Sequence, residues 1–225
     1  MSERQKSAPT SRSPKAKAAA ASPPEKPYHH GSLPYALLAA AETVLRRDGI
    51  NGLSLRSIAR EAGVSHTAPQ HHFGDTAGVL SELAAVGHLR LTHAMEEGAS
   101  GVRAGPARRQ AIARGYVSFA VDNPDLFRLM SRAEMLDNTR ASLVGARRAS
   151  MRALADVVDD ARTDAGKLGV DQDRAVAMTG AWAYVHGLAT LLVDGRLNGL
   201  ASSVEGMVNA RALVDETIEQ IRFAK

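Results

Sequence analysis

Apolar side chains recur every three or four positions along most of the chain, with polar residues between them. This is the period of helices that bury one face. The first run, Leu37, Leu38, Ala41, Val44 and Leu45, follows Ser32 and Pro34 and stops at Gly49. A serine accepts hydrogen bonds from the free N–H groups of a first helical turn, and a proline there loses nothing, so Ser32 marks a helix start. Ser54 caps a second, short helix with Leu55, Ile58, Ala59 and Ala62 inward, and Gly63 breaks it. A third begins at Ser65 or Thr67 and stops near Phe73-Gly74. Pro69 is tolerable only in a first turn, which favours Thr67 as the effective cap. Asp75 opens a fourth helix, through Val79, Leu83 and Val86 to about Met95.

Longer helices follow. Pro106 to Asp122 reads as one, and Asn123-Pro124 interrupts it and starts another through Leu126, Phe127 and Met130. Thr139 to Ala165 predicts a long helix with an exposed face that carries Arg147-Arg148 and the acidic residues Asp156, Asp159 and Asp160. Asp171 opens the next, ending near Gly195. Ser203 caps a last helix with Val204, Met207, Val208, Val214, Ile218 and Ile221 at helical intervals. No strand alternation and no internal repeat is visible. The pattern predicts an all-α protein: a three-helix N-terminal domain over residues 28–93, then a larger helical domain over 94–225.

Composition agrees, with 44% hydrophobic but only 4% aromatic residues. The 225 residues suffice for one large domain or two small ones. The absence of cysteine excludes disulfides, thiolate metal sites and cysteine nucleophiles, and fits a cytoplasmic location. Charge changes the picture more. The net +4 resides in residues 1–27, which hold six Lys/Arg against two Asp/Glu; the rest of the chain is balanced. This Ser/Ala/Pro/Lys-rich tail has almost no large apolar residue and is expected to be disordered. It is either a passive extension or an electrostatic arm for phosphates. It lacks the apolar core of a signal peptide. The basic balance therefore does not imply a basic face on the folded body.

The segment 54–73, SLRSIAREAGVSHTAPQHHF, pairs two short helices across a Gly-containing turn, the helix-turn-helix pattern. Ala59 and Ala62 are small where the helices approach, and Val64 fills the angle between them. The second helix offers short polar groups at its N-terminal end, His66, Thr67, Gln70 and His71, suited to base edges in a major groove. A plain helical hairpin with a glycine turn would share this pattern.

The run from Tyr28, HHGSLPYALLAAAETVL, with the GVS turn and the HHF ending, resembles the N-terminal domain of the tetracycline-repressor-like (TetR/AcrR) family over about Gly31 to Leu91. The resemblance implies a DNA-binding domain whose fourth helix leads to a ligand-sensing and dimerisation domain. It implies that Arg56 contacts DNA, that the Ser54 hydroxyl meets phosphate and that His72 contacts the backbone. Two positions depart from the family pattern. Gln70 stands where a phosphate-binding tyrosine is usual, and Thr76 where a lysine is usual; losing that lysine should flatten the salt dependence of binding by about one unit of slope. Seven of the eight histidines lie in residues 28–93. Their spacing does not suit zinc, since His71 and His72 diverge by about 100° on a helix. Beside phosphates they would gain charge as pH falls, so operator affinity is expected to change between about pH 8 and pH 6.

Further on, AWAYVHGLATLLVDG over 181–195 contains Trp182, His186 and Gly187, and resembles the Trp-His-Gly type of C-terminal domain in the same family; DNPDLFRLM ahead of it fits too. Tyr116, Phe119, Phe127, Met130, Met135, Trp182 and His186 are candidate linings of an apolar effector pocket, or else ordinary core. Ala175 to Val193 has the length of a membrane span, yet His186 near its centre and its small residues Gly180, Ala183 and Gly187 suit a helix packed on its own core and on a partner subunit. No catalytic constellation appears: Asp194 and His186 lie about 12 Å apart along one helix. The expectation is a homodimeric, ligand-responsive repressor of palindromic operator DNA, released by a small-molecule effector, with no enzymatic activity, cofactor, metal or membrane partner.

Overall fold

The computed structural model of the chain describes residues 33–159 and 172–220. Expectations for the tail 1–27, the Ser32 cap, the side chains of Asp156 and Asp159, residues 160–165, the Asp171 start and Ile221 lie outside the described residues. Those described form α-helices and two 3-10 turns, with no strand among them.

Helix α1 (Leu33–Asp48) buries Leu37, Ala40, Ala41, Val44 and Leu45 and ends at Gly49, whose φ of 70° leaves the helical path. Helix α2 (Leu55–Ala62) starts in a capping box: Ser54 Oγ accepts from Ser57 N at 3.0 Å, and Ser57 Oγ accepts from Ser54 N at 3.0 Å. Gly63 stops it in the left-handed conformation, φ 66°. Helix α3 (Ala68–Phe73) begins after Thr67 with Pro69 in its first turn, as the proline required. Thr67 makes no side-chain cap, however; its hydroxyl pairs with Ser65 Oγ at 2.9 Å. Asp75 caps α4 (Thr76–Ala99), accepting from Gly78 N at 2.8 Å.

The remaining helices are α5 (Pro106–Asp122), α6 (Pro124–Met130), α7 (Ala141–Asp159), α8 (Gln172–Val193), α9 (Asn198–Ser202) and α10 (Ala210–Gln220). Helix α4 is the central element. Arg90 forks onto α1, donating to both carboxylate oxygens of Glu42 at 2.6 and 2.8 Å, and this guanidinium holds the Glu42 carboxyl below its ordinary range. Leu83, Ala84, Leu91 and Met95 of α4 are buried in a core that continues through α5, α6 and α7. The boundary expected at 93–94 therefore falls inside one continuous helix. Because Met95 and Ala99 are both buried, that helix runs a turn beyond its expected end.

The last helix departs from expectation. Ser203 does not open it. Ser203 follows the end of α9 and donates to Leu200 O at 2.8 Å, Gly206 adopts φ 82°, and α10 starts at Ala210, where Asn209 Oδ1 accepts from Ala212 N at 2.9 Å. The apolar spacing continued across a positive-φ glycine that a helix cannot include. Val204 and Val208 are left exposed, while Val214 and Ile218 reach the core.

Helix α8 is long and apolar enough to cross a membrane by length and composition alone. Only Ala181, Val185 and Ala189, each four residues apart, are buried in the chain's own core. Met178, Leu188, Leu192 and Val193 pack against that core in part, while another side is open: Val176 is 65% exposed, and a methyl added at Gly180 or Gly187 would meet nothing within 4 Å.

Candidate functional site

Two surfaces carry the polar residues selected from the sequence. The first is the α2–turn–α3 motif. Ile58 and Phe73 anchor it in the core, and Val64 packs against that core from the turn. Ser54, Arg56, His66, Thr67, Gln70, His71 and His72 are all exposed. The side of α2 facing α1 is differently occupied: Arg47 bridges Asp48 at 3.0 Å and Glu61 at 2.7 Å. Arg60 of α2 is exposed too, and so is Tyr35 of α1, at 76%.

The second is a cavity of about 580 Å³ lined by α4 to α8. Tyr116 of α5, Phe127 and Met130 of α6, and Trp182 and His186 of α8 line it, so five of the seven expected residues come together. Tyr116 Oη and His186 Nδ1 are 2.9 Å apart. The His186 ring lies 5.1 Å from Phe127 and 6.2 Å from Trp182. The spacing of four between Trp182 and His186 is what places both rings on one wall. Burial lowers the His186 pKa, disfavouring the imidazolium, and burial pushes the Tyr116 phenol up to about 12 against a smaller opposing pull from Trp182.

The structure places the other two elsewhere. Phe119, three residues after Tyr116, turns to a groove over α4 beside Ala94 and Gly98. Met135 lies in the 3-10 turn Ala133–Met135 and faces a shallow pocket with Asp48, Gly49 and Ile50. Apolar character does not specify which side of the helix layer a residue meets.

The polar wall of the cavity was not selected from the sequence. It is built by His88 of α4 with Arg147 and Ser150 of α7. Arg148 is exposed as expected, but Arg147 is partly buried in the cavity wall, which corrects the reading of the pair as one solvated face. The available signal was the stripe Arg147, Ser150, Met151 and Leu154, a helical interval carrying one arginine. Ser150 Oγ lies 2.9 Å from His88 Nδ1, and Arg147 donates to Asn138 Oδ1 at 2.7 Å.

Asn138 belongs to the segment 133–140, which also reaches the motif. Arg140 donates through both Nη atoms to Phe73 O, the last carbonyl of α3, at 3.3 and 3.2 Å, and through Nε to Glu82 Oε1 at 2.8 Å. Asp137 N donates to the buried Ser81 Oγ at 2.8 Å. One short segment thus touches the cavity's arginine, the start of α4 and the end of α3.

Burial, with Arg147 adding to it, lowers the His88 pKa from 6.5 to about 4. The unfolded chain therefore takes up this proton at higher pH than the folded one. The stability linked to His88 is present in full above about pH 6.5 and is lost as pH falls toward and through about 4. The whole span is worth about 3 kcal/mol, and the lowered His186 acts in the same direction. In His88→Gln, urea unfolding should show a flatter decline of stability across this window. An unchanged decline would mean that the imidazole is not what couples stability to pH.

Comparison with known proteins fits this geometry. Residues 37–83 match the family model of bacterial regulatory proteins, tetR family, and residues 110–216 match that of the tetracyclin repressor-like C-terminal domain. The chain is 27% identical over 88 residues to the uncharacterized HTH-type transcriptional regulator YobS of Bacillus subtilis (strain 168), a match covering 39% of this chain and 46% of that protein. This match spans less than half the length of YobS. A solved protein with unknown function from Rhodococcus sp. RHA1 is 39% identical, covering 87% of this chain and 98% of that one with a TM-score of 0.67. The TetR family transcriptional regulator PfmR from Thermus thermophilus shares the fold at 16% identity and a TM-score of 0.56, covering 81% and 94% of the two chains. With one family model on the helix-turn-helix and the other on the helices around the cavity, the chain belongs to the TetR family of DNA-binding transcriptional regulators.

Proposed function

We propose that this regulator is a homodimeric repressor that binds palindromic operator DNA through α2 and α3 and is released when a small molecule occupies the cavity between α4 and α8. The observation that carries the reading is the shared segment 133–140, which contacts Arg147 of the cavity wall at one point and Phe73 O of the motif at another. An effector shifts the DNA-binding equilibrium only by binding one arrangement of this linkage more tightly than the other. Dimerisation is supported by the exposed side of α8 that holds Val176, Gly180 and Ala183, whose small residues permit close approach of a second helix. Val214 and Ile218 serve the chain's own core, so α10 contributes less of its apolar stripe to a partner than its sequence implied. A dimer would set two α3 helices about 34–36 Å apart, one per half-site. A regulator of this kind acts in the cytoplasm, where the DNA is.

The test is a gel shift on the DNA upstream of the protein's own gene, with sedimentation of the free protein. A sequence-specific shift by a dimer is expected; a monomer at micromolar concentration, or no specific shift at any salt, would sink the proposal. Arg56→Ala and His71→Ala should each weaken operator binding by about fivefold to a hundredfold, the worth of a good base contact, and leave dimerisation intact. If neither changes affinity by more than about threefold, the reading face lies elsewhere.

A further inference from the structure

Every wall of the cavity is apolar or neutral except one. Arg147 is the only Lys or Arg in the lining, and neither Asp nor Glu lines it among the described residues. Its guanidinium is steadied by a neutral amide, Asn138 Oδ1, which orients the group without cancelling its charge. Asn138 is itself fixed, donating through Nδ2 to Ala133 O at 2.9 Å and Leu136 O at 3.2 Å. Ser150 lies one turn further along α7 on the same wall, with its hydroxyl against His88 Nδ1. The second ring nitrogen, His88 Nε2, is buried and has no hydrogen-bond partner. An unpartnered buried polar atom is costly unless something meets it. The Ser150 hydroxyl hydrogen reaches either Arg147 O at 3.1 Å or His88 Nδ1 at 2.9 Å. Turned to His88, it fixes the tautomer that carries hydrogen on Nε2, an atom buried behind the wall, so Arg147 is the charged donor the wall presents.

We propose that the effector is an organic monocarboxylate with an apolar body, its carboxylate seated on Arg147 and its body against Tyr116, Phe127 and Trp182. The proposal rests on the reading of this cavity as the effector site. A cationic ligand would meet Arg147 with no carboxylate opposite it. A neutral ligand would leave the arginine uncompensated, whereas a carboxylate accepts a charge-assisted hydrogen bond from it. One full positive charge matches a single carboxylate better than a dianion. The volume, about 580 Å³, suits a compact organic molecule.

The chain has one tryptophan, and it lines the cavity, so its fluorescence reports occupancy. The probes are octanoate and 4-phenylbutyrate, each titrated beside its matching primary alcohol and primary amine into the full-length protein. The carboxylate should bind about tenfold or more tighter than the alcohol, as a charge-assisted hydrogen bond exceeds a neutral one, and the amine should bind weakest. In Arg147→Gln the carboxylate's advantage over the alcohol should fall below about threefold, and Arg147→Lys should recover part of it. Alcohol binding by the Gln variant reports that its cavity is folded. An alcohol that matches its carboxylate in the unmodified protein overturns the proposal, as does a preference that survives Arg147→Gln. If none of the six probes binds, the effector-cavity reading itself falls and takes the proposal with it; alcohol binding without carboxylate preference leaves that reading standing and removes only this one.

Discussion

Gly115→Ala should destabilise the fold by about 3 kcal/mol, at the upper end of what one added methyl costs in a packed core. The methyl would lie 2.3 Å from Ala94 O, 2.9 Å from Ala94 C and 3.0 Å from Met95 Cα. These are backbone atoms of α4, so no side-chain rotation relieves the clash; α5 must move away from α4. That movement would disturb Tyr116, the next residue and part of the cavity wall. Gly145→Ala in α7 is the control, because a methyl there meets nothing within 4 Å. It should be neutral or stabilising by up to about 1 kcal/mol, through helix propensity alone. Urea unfolding of the two variants beside the parent measures the difference. Equal stability would show that α4 and α5 do not cross as closely as 2.3 Å implies.

Arg140→Ala should lower operator affinity by more than about tenfold and cost about 2 kcal/mol of stability, although Arg140 lies outside the motif. Its guanidinium caps the last carbonyl of α3 and pairs with Glu82, both groups being about a quarter exposed. Hydrogen bonds with a charged partner are worth about 1.5–3 kcal/mol, more when loss of the partner leaves a buried group unsatisfied. The arrangement depends on Gly78, where a methyl would lie 2.0 Å from Phe73 O and 2.6 Å from Arg140 Nη1. Losing the clamp frees the end of α3 relative to α4 and blurs the orientation of the reading residues. Arg140→Lys separates the two roles. An ammonium keeps the pair with Glu82 but lacks the planar fork that lets one side chain hold both groups. Its stability should recover more than its operator affinity. The operator titration decides: full affinity in Arg140→Ala would mean that α3 is oriented by its core contacts alone.

The legible parts of the fold were those decided within a few residues. Asp75 caps α4 by reaching Gly78 N, three residues away, and the Ser54–Ser57 box closes over the same distance. Gly63 and Gly49 stop helices because a left-handed φ is cheap for glycine, and Asn123-Pro124 divides α5 from α6 through proline's missing N–H. The Ser203 start failed within that same local range. Gly206, at φ 82°, breaks the chain there, while the apolar spacing runs on across it. Trp182 and His186 could be paired because one helical turn joins them. Phe119 and Met135 could not be excluded from the cavity, since each has the right chemistry on a side of the helix layer that sequence does not specify.

By itself, then, the chain's order of caps, glycines and apolar intervals determined an all-helical protein with a helix-turn-helix over residues 54–73; His66 and Thr67, expected at the start of its second helix, lie in the turn ahead of α3, and Gln70 and His71 lie within it. Those are outcomes of local hydrogen bonding and of the helical period of about 3.6 residues. Only the tertiary structure decided that the cavity has a charged wall and that this wall is tied to the motif. His88 and Ser150 are 62 residues apart, and Arg140 and Phe73 are 67 apart. Neither pair shares an element, so each meets only because burial of the α4 core draws α7 across that helix. The hydrophobic effect that does so is non-directional; which polar groups it brings face to face is set by how the helices cross.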